Sequence, residues 1–137
     1  MQSLVRREYS RAELHAKLLP HVTPDDNLDA VLDELVARGW LSDTRAAEQM
    51  VRTRRSRFGT QRIAHELKQK GISDELISAA LPQLKQGELE AAREVWQKKF
   101  GSAPQDAKEK ARQVRFLQSR GFSLDVVFKV LHLKEDL

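Results

Sequence analysis

Apolar residues return every three or four positions along almost the whole chain, and nowhere does a sustained apolar–polar alternation mark a strand. The pattern predicts an all-α fold. Ser10 with Glu13 has capping-box spacing ahead of Leu14 and Leu18, which predicts a first helix over about 11–19, ended by Pro20. Thr23 followed by Pro24 reads as an N-cap with proline at the first helical position, and Leu28, Val31, Leu32, Leu35 and Val36 then form one apolar face closed by Gly39. Asp43 is placed to cap a third helix that buries Ala46, Ala47, Met50 and Val51 and breaks near Gly59.

The same grammar then repeats. Ile63 and Leu67 precede Gly71-Ile72-Ser73, after which Leu76, Ile77, Leu81 and Leu84 share a face. Fifty residues on come Leu117, Gly121-Phe122-Ser123, Val126, Val127 and Leu131. In each Gly-apolar-Ser step the glycine takes a left-handed C-cap, the apolar residue plugs the turn and the serine caps the next helix. Leu89, Ala92, Trp96 and Phe100 mark a helix over 88–100, read as the third of unit two. Gly101-Ser102-Ala103-Pro104 is a linker, and a further helix over about 105–120 follows it. The expected architecture is three tandem three-helix repeats in an elongated, curved stack, the last repeat one helix short, with units at 1–58, 59–101 and 102–137.

Composition changes this picture mainly through charge. Residues 1–50 carry six Lys/Arg against nine Asp/Glu, a balance of −3, whereas residues 51–137 carry eighteen against eleven, a balance of +7. A basic field confined to the later units suggests an acidic or polyanionic partner there. The absence of cysteine excludes a disulfide framework and thiolate metal sites. His15, His21, His65 and His132 lack metal-ligand spacing, so neither a metal nor a cofactor is expected. With no apolar run near 18 residues and no leader pattern, a cytoplasmic protein is expected. No phosphate-binding glycine loop, Cys/His pair or nucleophile elbow appears, which argues against an enzyme. Trp40 and Trp96 are read as packing residues.

The sharpest charged feature is Arg52, Arg54, Arg55 and Arg57, with Arg62 just beyond Gly59. A helix C-terminus favours a nearby cation by about 0.3 to 1 kcal/mol, which accounts for one or two of these. At about 100° per residue the four point in different directions, so they do not serve one helix end. Guanidinium forks fit carboxylates and phosphates alike, so these residues are candidate contacts to an acidic protein surface or to a nucleic-acid backbone. Lys108, Arg112 and Arg115 form a second basic stripe, and Lys68, Lys70, Arg93, Lys98, Lys99 and Arg120 extend the field.

The run Tyr9-Ser10-Arg11-Ala12-Glu13-Leu14 and the step Gly39-Trp40-Leu41-Ser42-Asp43 recur in one known family. So do the block Phe58-Gly59-Thr60-Gln61-Arg62-Ile63 through Glu66-Leu67 and Lys70-Gly71-Ile72, the turn Lys98-Lys99-Phe100-Gly101, and the segment Arg115-Phe116-Leu117 to Arg120-Gly121-Phe122. In their order and spacing across nearly the whole chain they resemble the RecX family. The resemblance implies three tandem three-helix repeats, a cytoplasmic monomer without catalytic activity, binding to the RecA filament on DNA, and modulation, chiefly inhibition, of RecA ATPase, strand-exchange and coprotease activities. A directly DNA-binding helical module, gripping phosphates without sequence preference, is the alternative that the basic later units leave open.

Overall fold

A computed structural model of the chain describes residues 6–135. It contains α1 (Arg11–Leu18), a 3-10 turn (Leu19–His21), α2 (Leu28–Ala37), α3 (Asp43–Arg54), α4 (Thr60–Gln69), α5 (Asp74–Gln86), α6 (Glu88–Lys99), α7 (Ala107–Ser119) and α8 (Leu124–Glu135), with no strand among the described residues. The all-α expectation holds. So does the capping box: the Ser10 side chain accepts from Glu13 N–H while the Glu13 side chain accepts from Ser10 N–H.

Two helix starts differ from expectation. Thr23 does not open α2; Thr23 N–H donates to the Asp26 side chain at 2.7 Å and Asp26 N–H to Thr23 carbonyl at 3.0 Å, a local turn that delays the helix until Asn27 caps it through Ala30 N–H. Ser42, not Asp43, caps α3, and the Asp43 side chain instead accepts Arg11 N–H at 2.7 Å, satisfying the start of α1 from another helix.

Three apolar clusters hold the chain. The first gathers Leu28, Leu32 and Leu41 with Leu14, Leu18 and Leu35 from α1 and α2. The second joins Ala47, Phe58, Ile63, Leu67, Ile72, Ile77 and Leu84 across α3, α4 and α5, and the third joins Ala91, Ala92, Val95, Trp96, Leu117, Phe122, Val127, Val130 and Leu131 across α6, α7 and α8. The units expected at 1–58, 59–101 and 102–137 are therefore out of phase with the packing by one helix. A break at 58/59 runs through the second core and one at 101/102 through the third, because the apolar stripe of α6 faces α7 and α8. Within the first group Val31 and Val36 are about half exposed, so the single apolar face expected for α2 is narrower than drawn. Trp96 is fully buried as expected, but Trp40 is 63% exposed and carries the Arg38 guanidinium 5.5 Å from its ring centroid.

Gly71 and Gly121 close α4 and α7 with φ of +79° and +91°. Both turns also join groups. A Cβ on Gly71 would collide with Ala12 at the start of α1, and one on Gly121 with Arg62 at the start of α4. Ser10 Oγ donates to Lys70 carbonyl, and Gly59 N–H donates to Arg120 carbonyl at 2.7 Å. Serial packing through such narrow contacts leaves an extended molecule. Its surface is 9314 Å², against roughly 7,300 Å² expected of a compact monomer of 15.7 kDa.

Candidate cationic interface

The turn between α3 and α4 sets the centre of the site. Gly59 ends the α3–α4 turn in extended backbone, and Phe58 before it is driven into the second core, leaving 7% of its surface exposed. The guanidinium groups of Arg54, Arg62 and Arg120 lie 5.0, 4.3 and 5.5 Å from the Phe58 ring centroid. The first two come from the second group and the third from the end of α7. Arg120 also lies 5.1 Å from the Phe116 ring, which carries Lys99 at 5.4 Å and meets Phe100 edge-on at 5.4 Å; Arg112 covers Phe100 at 5.3 Å. Three rings and five cations thus make one continuous track from the second group into the third. Each ring–cation pair is worth about 0.5–1 kcal/mol at exposed positions, which offsets the crowding of like charges.

Their pairing states differ. Arg54 is held by both carboxylate oxygens of Glu66, at 3.1 and 2.8 Å, and Arg112 by Glu109 at 3.1 Å. Arg62 donates to Ser119 carbonyl at 3.2 Å, but no carboxylate among the described residues pairs with Arg62 or Arg120. Two guanidinium groups are therefore aligned by rings and a carbonyl with their charge uncompensated, which is the arrangement an incoming anion needs.

The other candidates divide. Exposed Arg57 borders a groove with Arg7, Glu13, Arg54 and Lys70, and Lys108 and Arg115 line a concavity with Arg112 and Asp106. Lys70 is tied to Glu13 at 2.7 Å. Burial alone would raise the Glu13 carboxyl, but the Lys70 and Ser10 N–H hydrogen bonds, with the charges of Lys70 and Arg7, outweigh it and hold the group below its ordinary value. Arg52 stands apart, over the α3–α5 cleft beside Leu76 and Gln83, and Lys68 makes only a long 3.9 Å contact with Asp74. Arg55 is not a surface cation: its Nη1 and Nη2 are buried and lack a hydrogen-bond partner, and burial lowers its pKa against the opposing charge of Glu88.

The rings were missed as site residues. A signal for them exists, because Arg-x3-Phe-x3-Arg occurs at 54–62 and again at 112–120.

The groups α3–α5 and α6–α8 define a class: a tandem array of three-helix domains with a cationic, ring-bearing surface. The known three-helix domains that match this chain are the second of RecX, over residues 42–81, and the third of RecX, over residues 86–131, the same frame as the cores. The Regulatory protein RecX of Leptothrix cholodnii is 50% identical over 135 residues, 98% of this chain and 86% of its own. That of Chromobacterium violaceum is 48% identical over 128 residues, 93% and 83% of the respective chains. The crystal structure of RecX from Lactobacillus salivarius superposes with a TM-score of 0.77 at 21% identity, covering 98% of this chain and 90% of that one. The chain belongs to the RecX family of regulatory proteins.

Proposed function

We propose that this protein binds the RecA nucleoprotein filament and restrains it, lowering RecA ATPase, strand-exchange and coprotease activities through the cationic track rather than through catalysis of its own. Family membership supplies the partner. The observation that supports the surface is the convergence of Arg62 and Arg120 on Phe58 without carboxylate partners among the described residues. Arg54, Arg57, Lys108, Arg112 and Arg115 flank that centre and belong to the same contact surface, and Lys99 and Arg120, which the sequence offers only as extensions of the basic field, join it. Arg52, Lys68 and Lys70 lie at its margins. The protein acts as a cytoplasmic monomer in this reading.

RecA ATPase and strand exchange on single-stranded DNA, titrated with the parent and with the Arg62→Ala/Arg120→Ala variant, test it. The variant should need roughly tenfold more protein for half-inhibition, as expected when charge contacts are removed from an interface. Equal inhibition by a folded variant removes the track from the mechanism. Aromatic rings interleaved with cations also suit a nucleic-acid strand, which favours a second reading as a direct DNA-binding module. Its signature is tight, salt-sensitive DNA binding that RecA does not improve.

A further inference from the structure

The start of α4 is capped by another group. Gly59 supplies no side chain, and three successive donors run out of the second group into the third. Gly59 N–H goes to Arg120 carbonyl at 2.7 Å, Thr60 N–H to Glu88 Oε1 at 3.3 Å, and Gln61 N–H to Gly121 carbonyl at 3.2 Å. Glu88 opens α6 and is only 5% exposed. The Arg55 guanidinium lies against the adjacent Gly87, so close that a Cβ there would sit 3.3 Å from its Nη2. A buried carboxylate is tolerated beside a buried cation and is costly without one.

We propose that Glu88 is a positioning residue: by capping α4 across the domain boundary, with Arg55 as its buried counter-charge, it fixes the second and third domains in the register that brings Arg62 and Arg120 onto one Phe58 ring. This rests on the proposed reading of the track as the filament contact. It also reassigns Arg55, which sequence alone groups with the contact arginines. Arg55 reaches the partner only through Glu88 and the domain alignment.

The chain has no cysteine, so Ser78→Cys on α5 and Gln118→Cys on α7, both at exposed positions, accept spin labels in the intact chain. The inter-label distance distribution should be narrow in the parent and broadened in Glu88→Ala, with helical circular dichroism retained. RecA inhibition should weaken by about as much as in the Arg62→Ala/Arg120→Ala variant, roughly tenfold. Should Glu88→Ala lose helix content, Glu88→Gln keeps an acceptor for Thr60 N–H and deletes only the charge; the same broadening, smaller in extent, is then expected. Arg55→Ala should broaden the distribution too. An unchanged distribution in folded Glu88 variants overturns the proposal, as does Arg55→Ala weakening inhibition with the distribution unchanged, since Arg55 would then touch the partner directly. Failure of the filament reading is a separate outcome: Arg62→Ala/Arg120→Ala inhibits like the parent, whatever the labels report.

Discussion

The two ends of the molecule use charge in opposite ways. Ahead of α4, four arginines are tied to carboxylates: Arg7 to Glu13, Arg11 to Asp33, Arg38 to Glu34 and Arg45 to Glu8, at 2.6 to 2.8 Å. Around α4 and α7, Arg62 and Arg120 are steered by rings and carbonyls and have no such partner among the described residues. The apolar cores run the other way, from three buried residues in the first group to nine in the third, Trp96 and Phe122 among them. A thin core leans on ion pairs and caps for its geometry. A thick one depends on them less: the pairs in α6–α8, Arg93 with Glu90, Arg112 with Glu109 and Lys129 with Asp125, are local ones along a single helix, and Arg120 is left for a partner.

The comparison breaks first at the thick core. Trp96 is fully buried and donates Nε1–H to Gln113 Oε1 at 2.9 Å, so Trp96→Ala leaves both a cavity and a buried Gln113 Oε1 without that donor. A loss of about 3–5 kcal/mol is expected, read as early melting of α6–α8 in thermal unfolding. A loss below about 1 kcal/mol would mean that the third domain does not depend on this core.

Next come the two glycine junctions. Gly121→Ala must hold alanine at φ +91° and also push it into Arg62, while Gly71→Ala at φ +79° meets only Ala12. Each should cost about 1 kcal/mol or more in denaturant unfolding. Gly121→Ala alone should also weaken RecA inhibition, because it displaces a track arginine. Equal effects of both variants on inhibition would show that the two junctions are not specialised.

Smaller again is the contribution of Glu13. Its carboxyl is held below the ordinary value when folded, so it stabilises the fold above its unfolded pKa, and that stability is lost as pH falls through the lowered folded value. The parent should therefore exceed Glu13→Gln in stability at neutral pH, with the gap closing in acid. A gap independent of pH would assign Glu13 a packing role instead of an electrostatic one.

Much of this was legible from local chemistry. The capping box at Ser10 and the left-handed turns at Gly71 and Gly121 depend on a few neighbouring residues, and each stands as its residues dictate. The frame of the repeat was not legible, because a fifty-residue period is the same wherever counting begins; only the side to which α6 turns its alanines and Trp96 decides it. The site was half visible. Arginine spacing located the basic region, but which cations are free depends on Glu66 and Ser119 meeting Arg54 and Arg62 across helices, and Arg55 looks no different in sequence from Arg54.

The smallest effect makes the sharpest test of what separates the two ends. Arg38 and Glu34 form an i, i+4 pair with both side chains more than half exposed, and Arg38 also lies over Trp40. Glu34→Gln should move stability by no more than about 0.5 kcal/mol, the usual worth of an exposed pair. It would nevertheless turn Arg38 into a copy of Arg62 in kind: a guanidinium on an aromatic ring without a carboxylate. If freedom from pairing were enough to make a contact, the variant would inhibit RecA more strongly than the parent, and the gain would fade with added salt. Inhibition is expected to stay unchanged, because Arg38 stands alone on its ring while Arg62 shares Phe58 with Arg54 and Arg120. Convergence of several cations from two domains, rather than the lack of a partner at any one of them, is then what makes the surface. A salt-sensitive gain in the titration would reverse that order and put pairing first.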